Sequence, residues 1–178
     1  MKVVAIGVSA GGPETLKNLF SRLERFSFPV LLVQHNLPDQ VHSFAQWLSL
    51  VTEKDIVVVK DDVKVEGGRI YVPAPYMDLI MKSKDTVGVS KTEGPFFPSI
   101  DKLFTSVARS VGKDAIAIVL GGLGGDGVRG SQEIARNGGL VIVQKDAKFP
   151  YMPISVSRKV KSVEKTLDEI VSFLESVG

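Results

Sequence analysis

The chain has 178 residues, a hydrophobic fraction of 44% and a charged fraction of 24%, which is typical of one soluble globular domain with a sizeable core. Its formal net charge of +2 is too small to indicate a nucleic-acid-binding protein, and the absence of cysteine excludes disulfides, thiolate chemistry and zinc–thiolate sites. The apolar runs are too short to span a bilayer and the N-terminus does not resemble a signal peptide, so we expect a cytoplasmic protein with no membrane insertion.

Apolar, β-branched segments alternate with amphipathic ones along the chain. In chain order, the pattern predicts a strand at 2–6, a helix at 13–25, a strand at 30–34, a helix at 41–51, strands at 56–60 and 69–72, a hairpin of 79–81 and 86–90, a helix at 99–111, a strand at 115–120, a helix at 126–137, a strand at 140–144 and helices at 154–160 and 164–177. This alternation predicts a three-layer α/β fold: a doubly wound, mostly parallel, Rossmann-like sheet with an antiparallel edge hairpin, in one domain covering residues 1–178.

Three polar residues follow predicted strands of this sheet. Ser9 lies in the run Gly7-Val8-Ser9-Ala10-Gly11-Gly12, His35 follows the second strand, and Asp126 lies in the glycine-rich run 121–127 after the strand at 115–120. In doubly wound sheets, sites lie at the carboxyl ends of the strands. A serine, a histidine and an aspartate at such ends predict a relay in which the imidazole takes the hydroxyl proton and the carboxylate orients the imidazole.

The Gly-x-Ser-x-Gly pattern at 7–11 predicts a sharp strand-to-helix turn that exposes the serine hydroxyl, with small neighbours because the backbone bends tightly. The order Ser, His, Asp differs from the Ser, Asp, His order of α/β-hydrolases. A glycine-rich first turn is also typical of phosphate-binding α/β proteins. Against that interpretation, the dinucleotide fingerprint has glycine at the position of Ser9, and no Walker lysine follows.

Each of the other residues has a structural alternative. His35 is also explained as a capped histidine at a strand end, and Asp126 as the N-cap of the helix predicted at 126–137. Asp146 is a weaker candidate for the relay, and we expect His42 to be solvated or structural. The histidines and carboxylates lack the spacing of metal ligands, so neither a metal nor a cofactor is expected.

Six motifs, in this order, resemble the catalytic domain of the chemotaxis protein-glutamate methylesterases. They are residues 7–12, the histidine segment 34–38, the strand Gly68-Arg69-Ile70-Tyr71-Val72-Pro73-Ala74-Pro75, the helix start Pro98-Ser99-Ile100-Asp101, the aspartate loop 124–127, and Gln144 followed by Met152-Pro153. The resemblance implies that Ser9 is the nucleophile, His35 the general base and Asp126 the orienting carboxylate. It implies a serine hydrolase that removes γ-methyl esters from glutamates on the cytoplasmic helices of chemoreceptors and releases methanol. Some members of that family also deamidate receptor glutamines.

For the oxyanion we expect backbone N–H donors in the loops that carry Ala10, Leu123 and Gly124, that of Leu123 first, and also the N–H of His35. The expected partner is the cytoplasmic domain of a methyl-accepting receptor. Two alternatives stay open at this point: an adaptor that docks on the receptor with weak or no turnover, and a phosphate- or nucleotide-binding α/β protein.

Three departures from the family pattern stand out. Gly121 and Leu123 replace the usual threonine and methionine, and Tyr76-Met77-Asp78 stands where the family often has a histidine. Most members carry a regulatory receiver domain before the catalytic one, whereas this sequence starts at the catalytic domain. We therefore expect either a stand-alone member or a fragment of a protein that has a receiver domain.

Overall fold

The structure, a computed structural model, describes residues 1–36, 38–93 and 98–178. The strands are β1 Val3–Val8, β2 Val30–Gln34, β3 Asp55–Val59, β4 Val63–Lys64, β5 Arg69–Pro73, β6 Met77–Ser83, β7 Thr86–Lys91, β8 Ala115–Val119, β9 Leu140–Gln144 and β10 Val163–Lys165. The helices are α1 Gly12–Arg22, α2 Val41–Thr52, α3 Ile100–Val111, α4 Val128–Arg136, α5 Tyr151–Lys159 and α6 Leu167–Val177. Among these helices, none has both the length and the apolar character needed to cross a bilayer.

A parallel sheet of seven strands forms the middle layer, in the order β10-β9-β8-β1-β2-β5-β3. Successive residues of the central strand β1 point to opposite faces. Val3 and Ala5 pack in one core with residues of α3, α4 and α5. Val4 and Ile6 pack in the other core with residues of α1, α2 and α6. The predicted three-layer, mostly parallel α/β fold is therefore confirmed.

The predicted hairpin is also confirmed, as β6 and β7, and both strands are longer than expected. It pairs with β4 in a separate three-stranded antiparallel sheet and does not extend the edge of the main sheet. Contacts with α3 explain this position. The backbone N–H of Met81 donates to the hydroxyl of Ser106 at 2.9 Å, and the hydroxyl of Ser110 donates to the carbonyl of Met81 at 3.1 Å. The small sheet thereby packs against α3, and its residues Leu79, Met81 and Val87 share a core with α3 and the main sheet.

Several predicted boundaries are wrong at the C-terminal end of the chain. The sequence predicts a helix from residue 164, but residues 163–165 form the edge strand β10, parallel to β9. The final helix begins later because Thr166 and Glu169 form a reciprocal capping box at its start. At the other end of the chain, α1 stops at Arg22, three residues earlier than predicted, because the backbone of Leu23 is extended.

The chain order creates a topological switch point between β1 and β8. From β1 the chain proceeds to β2 on one side, and from β8 it proceeds to β9 on the other side. Connections then leave the carboxyl ends of β1 and β8 in opposite directions, which opens a crevice there. Backbone pairing continues past the strand ends, since Ser9 N donates to Gly121 O at 2.9 Å and His35 N donates to Val8 O at 3.0 Å. The segments that carry the predicted site residues are thereby fixed to one another.

Candidate active site

Ser9 occupies the turn between β1 and α1, and its backbone is fully engaged. Its N–H donates to Gly121 O at 2.9 Å, and its carbonyl accepts from Gly12 N at 2.9 Å and from Gln34 Nε2 at 3.0 Å. The side chain lies against the backbone of Gly122, where a Cβ would stand only 2.8 Å from the Cβ of Ser9. The glycine-rich loop after β8 therefore forms one wall beside the serine.

The glycines of this turn are required for reasons that differ from the predicted sharp bend. A Cβ at Gly7 would lie 2.6 Å from Cγ2 of Ile100, the first residue of α3. A Cβ at Gly12 would lie 1.7 Å from Oε1 of Gln34. Only Gly11, with a φ of 77°, needs the left-handed conformation that favours glycine. Close approach of neighbouring groups, more than backbone curvature, explains the motif.

His35 and Asp126 form the closest contact between predicted site residues. Nε2 of His35 lies 2.7 Å from Oδ2 of Asp126. The aspartate is fully buried and the histidine side chain is 15% exposed. A carboxylate accepts only, so it selects the tautomer that carries the proton on Nε2. The nitrogen that takes a proton from a nucleophile in this arrangement is then Nδ1.

The structure gives Asp126 a second role, which corrects the predicted alternative. Gly127, and not Asp126, occupies the N-cap of α4. The carboxylate of Asp126 instead accepts from the backbone N–H groups of Ile100 at 2.8 Å and Asp101 at 2.9 Å, at the first turn of α3. The positive end of the α3 dipole and these donors stabilise the buried negative charge.

Asp101, on α3, accepts hydrogen bonds from the start of α4. Its Oδ1 accepts from Gly127 N at 3.0 Å and from Gly130 N at 2.8 Å, at the start of α4. Burial raises the pKa of the Asp101 carboxyl above its ordinary value; the hydrogen bond from Gly130 opposes this rise, and the nearby charge of Asp126 adds to it. The N-terminus of α3 is thus capped by the carboxylate of Asp126, in the loop before α4. The N-terminus of α4 is capped by the carboxylate of Asp101, on α3. The resemblance of residues 98–101 to the family motif assigns no role to Asp101, and the structure supplies this one.

Two buried glutamines fix the loops of the site; both belong to the family motifs in the sequence, but sequence reasoning gave neither of them a role. Gln34 donates from Nε2 to the carbonyls of Ser9 at 3.0 Å and His35 at 3.1 Å. Gln144 accepts from Gly121 N at 3.2 Å. The available signal was a glutamine as the last residue of an apolar strand, because a polar side chain buried at that position requires hydrogen-bond partners.

No hydrogen bond between the side chains of Ser9 and His35 is among those of the described residues. Within the described ranges, the hydroxyl of Ser9 has no hydrogen-bond partner. Catalytic hydrogen bonds often tighten only when substrate binds, and we expect the bond between Ser9 and His35 to form at that stage. Ser9, His35 and Asp126 lie at the carboxyl ends of adjacent strands β1, β2 and β8, and their roles remain predictions.

The expected oxyanion donors separate into two groups. The N–H of His35 donates to Val8 O at 3.0 Å, so the expectation that it holds an oxyanion is wrong. The N–H groups of Ala10, Leu123 and Gly124 donate to no acceptor in the part of the chain that the structure describes. Leu123 is 51% exposed, which leaves this loop open to a substrate.

The remaining predicted polar residues have structural partners or lie in solvent. Asp146 accepts from Leu167 N at 3.0 Å and from Gln144 Nε2 at 3.2 Å, so it ties β9 to α6. Asp78, at the position of the family's histidine, is fully buried and accepts from Ser99 N at 2.7 Å. His42 is exposed on α2, as expected for a solvated histidine.

Comparison with known proteins agrees with the fold and the motifs. Residues 4–174 match the family model described as CheB methylesterase. A protein-glutamate methylesterase/protein-glutamine glutaminase 3 of Hahella chejuensis is 35% identical over 149 residues, which make up 82% of this chain and 42% of that protein. A protein-glutamate methylesterase/protein-glutamine glutaminase 2 of Methanospirillum hungatei is 31% identical over 185 residues, covering 100% of this chain and 53% of that protein. The chain spans about half the length of these curated relatives.

A solved structure is similar to this one over nearly the whole chain. The crystal structure of the Thermotoga maritima CheB methylesterase catalytic domain is similar with a TM-score of 0.90 and 27% sequence identity. The match covers 99% of this chain and 98% of that one.

Proposed function

This chain belongs to the CheB methylesterase family, and on that premise we propose that it hydrolyses γ-methyl esters of glutamate side chains on chemoreceptor helices. The observation that carries the proposal is the 2.7 Å contact between His35 and the fully buried Asp126, at the strand end next to that of Ser9. An oriented imidazole beside a serine is the machinery that acyl transfer requires.

In the proposed mechanism the hydroxyl oxygen of Ser9 attacks the ester carbonyl while Nδ1 of His35 takes the hydroxyl proton. The imidazolium that forms is stabilised by Asp126 through Nε2–H. The developing oxyanion accepts from the backbone N–H of Leu123, with Ala10 and Gly124 as neighbouring donors; losing one such donor costs about 10²–10³ in rate. His35 then protonates the departing methanol, and water hydrolyses the acyl-enzyme by the same sequence of proton transfers.

Deamidation of glutamine is a second candidate activity of the same site. The relatives from Hahella chejuensis and Methanospirillum hungatei carry both activities in their names. An amide would form the same acyl-enzyme on Ser9, and His35 would protonate departing ammonia in place of methanol. Ester hydrolysis is the favoured reaction because alkoxide is a better leaving group than amide.

The proposed substrate implies which partner the protein binds and in which compartment it acts. The partner is the cytoplasmic domain of a methyl-accepting receptor, so we infer that the protein acts in the cytoplasm. If the chain is part of a longer protein, a receiver domain is its expected regulator.

Methanol release from a methylated receptor cytoplasmic fragment tests the proposal. The wild type should release methanol, and Ser9→Ala should lower the rate by about 10⁶, to background. Binding of the fragment without methanol release would instead support the adaptor. Nucleotide binding by calorimetry, without methanol release, would support the phosphate-binding alternative.

A further inference from the structure

An open groove of about 330 Å³ lies between α3, α4 and β6. Its walls carry three basic side chains, Lys102, Arg109 and Arg129, together with Asp101 and the apolar side chain of Ile80. The groove is next to the candidate active site through Asp101, whose backbone N–H donates to Asp126 and whose carboxylate caps α4.

The charges of the groove do not cancel. Nζ of Lys102 lies 3.1 Å from Oδ2 of the buried Asp78, so this lysine already has a partner. The carboxylate of Asp101 accepts from two backbone N–H groups of α4. Arg109 and Arg129 are exposed and form no ion pair with any residue in 1–36, 38–93 or 98–178. Two guanidinium groups in one groove are therefore available to an anion.

Arg129 lies where the fold does not favour a positive side chain, which is consistent with a role in binding an external anion. It is the second residue of α4, where a positive side chain opposes the positive end of the helix dipole. Lys102 is in the corresponding first turn of α3, but its ion pair with Asp78 compensates for that position. Arg129 forms no ion pair among the described residues, and the Asp101 carboxylate at the same helix end is engaged by Gly127 N and Gly130 N.

Guanidinium groups bind carboxylates with two parallel hydrogen bonds. Hydrolysis of a glutamyl ester leaves a carboxylate on the substrate, so a helix with more than one such glutamate presents anions beside the remaining ester. The chemistry of the groove matches these neighbouring carboxylates.

We propose that Arg109 and Arg129 bind a carboxylate of the substrate helix in this groove while the glutamyl ester of the same helix enters the active site. The inference rests on the proposed function and names what that site recognises beyond the ester. It makes the groove a docking surface for an acidic helix.

The test compares two substrates across charge variants. Methanol release is measured for the wild type and for the Arg109→Gln, Arg129→Gln double variant, with a methylated receptor fragment and with a small uncharged glutamyl methyl ester that cannot reach the groove. Arg136→Gln is the matched control, because Arg136 is exposed in the last turn of the same helix and its only ion pair within the described chain is with Glu133.

With the fragment, the double variant should lose about tenfold in kcat/KM, mainly through KM, and the loss should shrink as salt rises. Hydrolysis of the small ester should be unchanged, and Arg136→Gln should match the wild type on both substrates. Equal losses on both substrates, no loss with the fragment, or the same loss in Arg136→Gln would each overturn the inference.

Binding of the fragment, measured by fluorescence anisotropy in a Ser9→Ala background, separates this inference from the proposed function. Weaker binding after the two arginine substitutions supports the docking groove even if the wild type releases no methanol, an outcome that would refute only the esterase. Unchanged binding refutes the docking groove even if methanol is released.

Discussion

The double role of Asp126 predicts that its removal damages both catalysis and stability. Asp126→Ala deletes the acceptor for the N–H groups of Ile100 and Asp101 and the partner of His35. A buried donor left without a partner costs about 1–3 kcal/mol, so the two N–H groups together cost about 2–6 kcal/mol. For a chain of this size each kcal/mol lowers Tm by about 2–4 °C. We therefore expect a fall in Tm of about 4–24 °C.

Asp126→Asn separates the two roles. The amide keeps one oxygen that can accept at the start of α3, so the fall in Tm should be smaller. The amide cannot stabilise an imidazolium, so the rate of methanol release should fall by about 10³–10⁴. Tm is measured by circular dichroism at 222 nm, with Ser9→Ala as an inactive control that melts like the wild type. If Asp126→Ala melts within about 1 °C of the wild type, the carboxylate does not cap α3 and the argument fails.

Three further substitutions test other parts of the site. Gly12→Ala should displace the side chain of Gln34 and cost about 1–3 kcal/mol in urea unfolding, and adding Gln34→Ala should cancel most of that cost; strict additivity would contradict the steric explanation. Because burial raises the pKa of the Asp101 carboxyl, its contribution to stability is present below the ordinary value of 3.8 and is lost as pH rises through the folded pKa. Relative to the wild type, Asp101→Asn should therefore be more stable at pH 6.5 than at pH 3.5 by urea unfolding, and an equal difference at both pH values would refute this sign. Leu123→Pro removes one backbone N–H and should lower kcat by about 10²–10³, whereas Leu123→Ala should retain activity; equal rates in the two variants would exclude Leu123 as the oxyanion donor.

The sequence predicted the parallel sheet and the strand ends because buried strands are continuous apolar runs and parallel topology brings their carboxyl ends together. That reasoning placed Ser9, His35 and Asp126 at the ends of three strands of one sheet, and the structure shows that these strands, β1, β2 and β8, are adjacent. It missed β10, since residues 163–165 are mostly exposed at an edge and carry no apolar run.

The contacts that support the site could not be predicted from local patterns. Asp126 caps α3 and not its own helix, and Asp101 caps α4, because the packing of α3 against α4 sets which carboxylate meets which helix end. Gln34 reaches Ser9 only because Gly12 has no Cβ. Each of these contacts joins residues distant in the chain, and local propensity contains no information about them.

Covalent trapping tests the central claim most directly, namely that Ser9 is a nucleophile served by His35 and Asp126. The protein is treated with a fluorophosphonate, and the adduct is located by mass spectrometry of its peptides. The account predicts one adduct, on Ser9, absent in Ser9→Ala and formed much more slowly in His35→Ala. An adduct on another residue, or labelling of Ser9 at the same rate without His35, would contradict it.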